Sequence, residues 1–325
     1  MVWWSAGLLL ALLVGSSWGK LEVGFYRQSC PAAEEIVRSV VGEATAGDPT
    51  TAAALLRLHF HDCIVQGCEG SVLIFRPDGK QENMAFGNEG LRGFDVIERA
   101  KSRLEAACPG VVSCSDILAL AARDSIVLSN GPRYDVPTGR RDGRVSNISD
   151  GDNLPDVNDS AAVLLAKFAQ KGLSDNDLVL LSAAHTIGTA ACFFMNDRLY
   201  NFQGSAGPDP SISWFFLPAL METCPRGGDP NARLPLDGGG AAGEFTFDDS
   251  ILWNIAGGAA VLQSDAALYG DPSTRAIIDS YLRHRRSAVD GGFAADFAAA
   301  MVRMGRIGAL TGSQGEIRRV CSSFN

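Results

Sequence analysis

Apolar residues recur along most of the chain at the three- and four-residue steps of a helix rather than in strict alternation. Pro31 stands where a first helical turn would begin, and Ala32, Glu35, Ile36, Val37 and Val40 follow at helical spacing. The same pattern predicts helices over 51–65, 93–107, 115–128, 160–171, 174–187, 213–222, 275–285 and 293–304. Gly172 would end one of them, and Ser174 with Asp177 resembles a weak capping box for the next. Alternation is scarce; 133–137 is the candidate for a short strand. Residues 145–158 and the Gly/Pro-rich 225–243 read as irregular, and no repeat period is present. These patterns predict a mainly α protein built from helical layers.

Composition narrows the function. The chain has 325 residues, 46% of them hydrophobic, enough for one or two domains with a large core. With 28 basic against 37 acidic residues the net charge is -9, which argues against a nucleic-acid partner. Residues 1–19 carry no charge, and their apolar run over 7–15 is too short to span a bilayer. Ser16, Ser17 and Gly19 offer a cleavage site before Lys20, so 1–19 reads as a secretory signal peptide lacking a basic first segment. The mature domain would cover 20–325, with no membrane span. Secretion turns the eight cysteines, none in a CxxC pair, into an expected disulfide set. Spacing alone leaves about 105 connectivities open. Sequons at Asn147 and Asn158 are candidate glycan acceptors in an exposed stretch.

The four histidines are His59, His61, His185 and His284. On a helix Arg57 and His61 share a face with Phe60 beside them, whereas His59 points away. On a strand His59 and His61 would instead face one metal, but Thr51-Ala-Ala-Ala-Leu-Leu upstream favours a helix. A guanidinium and an imidazole aimed at one point suit proton transfer with stabilisation of developing negative charge. His185 closes the apolar run Leu178–Ala184, where Ala183 and Ala184 leave room for something bulky.

Arg57-Leu-His-Phe-His61-Asp62-Cys63-Ile-Val-Gln-Gly-Cys68-Glu-Gly-Ser71 resembles the distal signature of the secretory plant haem peroxidases, the class III family. Leu180-Leu-Ser-Ala-Ala-His185-Thr186-Ile-Gly resembles their proximal signature. Further matches at Tyr26–Pro31, Val112–Asp116, Gly139–Asp142, Arg198–Phe202, Gln263–Asp265 and Leu310–Cys321 extend the resemblance from about Lys20 to the C-terminus.

The resemblance implies an all-α fold of about ten helices in distal and proximal halves, with haem b between them. It implies a secreted, monomeric enzyme of the apoplast or cell wall that uses hydrogen peroxide to oxidise small phenolic donors. Oxidation would proceed by one-electron steps through high-valent iron. His185 would bind the iron and Asp265 its other ring nitrogen. His61 would move the peroxide proton, Arg57 stabilise charge, Asn88 orient His61, and Glu82 hold Asn88. Phe60 would pack on the haem, and Pro155 would flank the donor entrance. The implied disulfides are Cys30–Cys108, Cys63–Cys68, Cys114–Cys321 and Cys192–Cys224, leaving His59 and His284 without catalytic roles. His284 lies in the basic run Arg283-His-Arg-Arg286, read as a solvated helix face.

Two calcium ions are implied as well. Asp62, Glu69 and Ser71 would give side-chain oxygens to the distal one, and Val65 and Gly67 carbonyls. Glu69 stands where the family usually has aspartate, and Ile64 where it has phenylalanine. Thr186, Asp237, Thr246 and Asp248 would bind the proximal ion, but a glycine-rich insertion replaces the family's threonine and proline there. Reduced calcium retention is expected on that side. Two other readings compete: a haem-binding wall or interaction protein with impaired catalysis, and a metallohydrolase using His59 and His61, which helical geometry disfavours.

Overall fold

The computed structural model describes residues 20–237, 243–284 and 292–325. The signal segment, Arg285 and Arg286 of the basic run and part of the glycine-rich insertion lie outside the described residues.

The described residues form twelve α-helices and four short strands. In chain order the helices are α1 (Ala33–Gly47), α2 (Thr51–Val65), α3 (Phe94–Ala107), α4 (Cys114–Leu128), α5 (Ala161–Gln170) and α6 (Asp175–Ser182). They continue with α7 (Asn196–Tyr200), α8 (Leu217–Thr223), α9 (Ser250–Ala256), α10 (Gln263–Gly270), α11 (Pro272–His284) and α12 (Gly292–Met304). The strands pair antiparallel, β1 (Glu22–Val23) with β2 (Pro137–Thr138) and β3 (Thr189–Ala191) with β4 (Arg233–Pro235).

Local chemistry explains several boundaries. Ser113 and Ser160 cap α4 and α5 by accepting from main-chain N–H groups three residues on. At α6 Ser174 and Asp177 form a complete capping box. Gly172 adopts φ +74 just past α5, the left-handed position that lets that helix stop. The helix predicted over 174–187 instead tightens after Ser182 into a 3-10 turn, Ala183–Thr186. The strand predicted at 133–137 forms only from Pro137, where β1 offers an edge to pair with. Helices α7, α9 and α10 are eight residues or shorter, too brief for their periodicity to stand out in sequence.

One apolar core gathers α1, α3 and α4. A second packs α5, α6 and α9 to α12 against Leu56, Cys63, Ile64 and Val65 of α2. Helix α2 therefore belongs to both, and the segment carrying Arg57 and His61 sits where the two halves meet. The four disulfides join Cys30–Cys108, Cys63–Cys68, Cys114–Cys321 and Cys192–Cys224, so the described chain has no free cysteine.

Candidate active site

Arg57 and His61, one turn apart on α2, touch directly: Arg57 Nε donates to His61 Nε2 at 3.1 Å. On the far side of the imidazole, His61 Nδ1 lies 2.6 Å from Asn88 Oδ1. An amide oxygen only accepts, so the proton is assigned to Nδ1 and a lone pair to Nε2. Asn88 Nδ2 in turn donates to the Glu82 main-chain carbonyl at 2.8 Å. Glu82 thus holds Asn88 through its backbone, while both oxygens of its buried carboxyl group make no hydrogen bond. Arg57 is pinned further by the carbonyls of Gly87 and Glu89, and Phe60 meets the His61 ring edge-on at 5.8 Å.

Burial, helped by the Arg57 charge and opposed by the Asn88 bond, lowers the His61 pKa to about 3. His61 is therefore a neutral acceptor across ordinary pH. Arg57 itself falls to about 10, through burial and the nearby Arg233. Its side chain has accessible surface yet lies deep enough to be desolvated, as a group lining a crevice does.

His185 occupies the 3-10 turn after α6, and its Nδ1 lies 3.0 Å from both oxygens of Asp265, in the first turn of α10. Burial would lower its pKa, but the Asp265 charge and hydrogen bonds outweigh burial and raise it. His185 also feels the Arg57 charge, and its own charge reaches His61. Just after His185, Gly188 packs on α2 beside Ala53. A Cβ on Gly188, at φ +99, would lie 2.9 Å from that of Ala53. His185 Nε2 makes no hydrogen bond to the described protein, so this imidazole, backed by a carboxylate, could hold a haem iron.

Side-chain oxygens gather in two places. Beside α2, Asp62 Oδ1, Ser71 Oγ and both Glu82 carboxylate oxygens are buried without hydrogen-bond partners. Burial raises Asp62 to about 7 and, with Asp62 alongside, Glu82 to about 8. Carboxyl groups so crowded fit a hard cation, which would stabilise their charged forms. Among the described residues no three His, Cys, Asp or Glu side chains make a metal cluster, so such an ion needs the hydroxyl and main-chain carbonyls too. The Val65 carbonyl already accepts from Lys171 Nζ at 2.5 Å. Glu69 finds room for its extra methylene by laying its carboxylate over Gly143; a Cβ there would sit 1.8 Å from Glu69 Oε2.

On the proximal side, Thr186 Oγ1 donates to Asp248 Oδ1 at 3.1 Å and Ser250 Oγ to Asp237 Oδ2 at 3.2 Å. Ser250 N also donates to Asp248 Oδ1. Ser250 was not singled out by sequence, since nothing in its spacing sets it apart from a helix start. Thr246 precedes this group, its N–H bonded to the Gly243 carbonyl.

Other expectations are placed as follows. Pro155 is half-buried behind Leu154, which packs on Gly87, next to Asn88. His59 is buried on another side of α2, its ring 3.7 Å from Cys63 Sγ, and burial with Arg140 nearby lowers it to about 3. It borders a cavity of about 10 Å³ with Tyr134 and Arg140, room for one water. His59 and His61 therefore cannot share a metal. Asn158 is exposed, whereas Asn147 is half-buried and donates its amide to Asp150.

Known proteins resemble the chain over nearly its whole length. The Peroxidase family matches residues 37–284. The chain is 57% identical to Peroxidase 43 of Arabidopsis thaliana, over 100% of both chains. It is 53% identical to Peroxidase 13 of the same plant, over 96% of this chain and 95% of that one. Against Peroxidase N1 of Nicotiana tabacum the identity is 49%, over 98% and 95%.

Proposed function

The chain belongs to the class III plant peroxidases, haem enzymes that use hydrogen peroxide, and we propose that Arg57, His61 and Asn88 handle the peroxide while His185, backed by Asp265, would hold the haem iron. Haem b bound on His185 would supply the iron at which peroxide is reduced and through which a donor gives up electrons. The observation that carries the reading is the pair of contacts at the His61 ring, Asn88 Oδ1 on Nδ1 and Arg57 Nε on Nε2, which assigns the proton to Nδ1 and the lone pair to Nε2. His61 takes a proton from hydrogen peroxide at Nε2 and returns it to the departing oxygen as water forms. Arg57 stabilises the negative charge that grows as the oxygen–oxygen bond breaks. The Glu82 carbonyl fixes Asn88, which fixes the His61 tautomer.

Asp265 accepts the His185 Nδ1–H, giving that imidazole anionic character. Phe60 walls the crevice, so small phenolic donors would be oxidised one electron at a time at an edge near Pro155. Calcium would sit among Asp62, Val65, Gly67, Glu69 and Ser71, and more weakly among Thr186, Asp237, Thr246 and Asp248. The enzyme would act as a secreted monomer in the apoplast or cell wall; no helix of the described residues is long and apolar enough to cross a membrane. A non-catalytic haem carrier has no physical need for Arg57, His61, Asn88, His185 and Asp265 together.

The test is stopped-flow reaction of the purified haem protein with hydrogen peroxide, compared with His61→Leu. The variant should react slower by about 10²–10⁴, the range for a positioned acid–base group. Equal rates would sink the role given to His61.

A further inference from the structure

Three arginines, Arg57, Arg92 and Arg233, gather near the start of α2. Thr50, Ala53 and Arg57 lie on one side of the α2 segment, at steps of three and four residues. Arg92 reaches the first of these positions, donating from Nη2 to Thr50 Oγ1 at 3.0 Å. The second, Ala53, is where Gly188 of the opposite half packs. Thr189 follows, and Arg233 of β4 donates to its hydroxyl at 3.0 Å and its carbonyl at 2.8 Å. Arg57 is the third.

The cations are close enough to disfavour one another's charge: Arg233 acts on Arg57, and Arg92 on Arg233. Such crowding costs free energy unless an anion joins it. The structure supplies little. Arg57 and Arg233 form no ion pair among the described residues, and Arg92 has only Asp48, at 3.8 Å and solvent-exposed. Arg233 does not take this position for lack of another: it is an exposed strand residue held within reach of Arg57 by two bonds to Thr189.

Haem b carries two propionate carboxylates on one edge. Resting on the reading of the crevice as a haem site, we infer that Arg233, with Arg92 adding charge from the distal side, anchors that propionate edge at the Ala53–Gly188 end. The guanidinium geometry matches a carboxylate, and Thr189 orients it before haem arrives. Haem orientation follows: the propionates point toward β3 and β4, and the opposite edge faces away from them.

The experiment measures haem release from the holoprotein to excess apomyoglobin, for wild type and Arg233→Leu. Each is loaded with haem b or with its propionate dimethyl ester. Arg233→Leu should release haem b about tenfold to hundredfold faster, as expected for losing a charge-assisted bond. With the ester, the two proteins should release at the same rate, because the carboxylate partner is already gone. An equal acceleration for both haems would mean Arg233 only braces β4, and no acceleration for either would mean it has no part; both outcomes overturn the inference. A wild type with no Soret band would instead overturn the haem reading itself.

Discussion

At the residue scale, the chemistry of His61 is set by neighbours that a pattern of apolar positions does not show. The Arg57–His61 spacing was legible because helical geometry alone puts the two on one face. The partner Asn88 lies 27 residues away in an irregular stretch, and only the family motif brought it into view. The local environment then makes a pH prediction. His61 falls from 6.5 to about 3, so it stays neutral and able to accept until the medium is strongly acid. Peroxide reaction should hold its rate through pH 5 and fall only toward 3. Arg57→Leu removes a cation that lowers this pKa, so the acid limb should move up in pH, read from pH–rate profiles. A limb that stays still or moves down contradicts the assignment. The stability sign agrees in direction: between 6.5 and 3 the unfolded chain binds protons that buried His59 and His61 refuse, so stability is lost as pH falls through that window.

At the element scale, the long helices are legible in their bounds, while short ones are overextended, as α6 and α8 are, or missed, as α7, α9 and α10 are. The pattern over 51–65 matches α2 to the residue, because fifteen residues make about four helical turns. By contrast α10, which carries Asp265, has eight residues, so its functional carboxylate came from resemblance rather than periodicity. Loop chemistry was the least legible part, because it depends on contacts across the sequence. Glu69 against Gly143 is the case: sequence showed a longer acid, but not the glycine that admits it. Gly143→Ala should expel the Glu69 carboxylate and weaken distal calcium retention by roughly tenfold, as supporting changes around a metal do. Adding Glu69→Asp, which withdraws the acid by one methylene, should restore much of it. Metal analysis after chelator treatment reads both, and unchanged calcium in Gly143→Ala would contradict the packing argument. On the proximal side, the same assay should return fewer than two tightly held ions per wild-type chain; two would contradict the expected weakness of the altered loop.

At the scale of the whole molecule, the C-terminal segment is tied into the distal half by two independent devices. The Cys114–Cys321 disulfide closes a separation of 207 residues, the longest of the four. Three residues earlier, buried Arg318 donates to the carbonyls of Gly70 at 2.6 Å and Gly143 at 2.7 Å, while its N–H bonds Asp142. Asp142 also accepts from Ser115 N, one residue beyond Cys114, so both devices fasten the same pair of segments. In the chain-entropy picture a bridge this long restricts the unfolded state most, and removing it as Cys114→Ser with Cys321→Ser should cost about 2–5 kcal/mol. Arg318→Met should also be costly, because it strands buried carbonyls whose donor is gone. If the two devices hold one segment, the combined variant should lose less than the sum of the separate losses, since a segment already released has less left to lose. Denaturant midpoints of the four proteins close this cycle. Strict additivity would show instead that disulfide and guanidinium stabilise separate parts of the fold, and the shared anchoring would have to be abandoned.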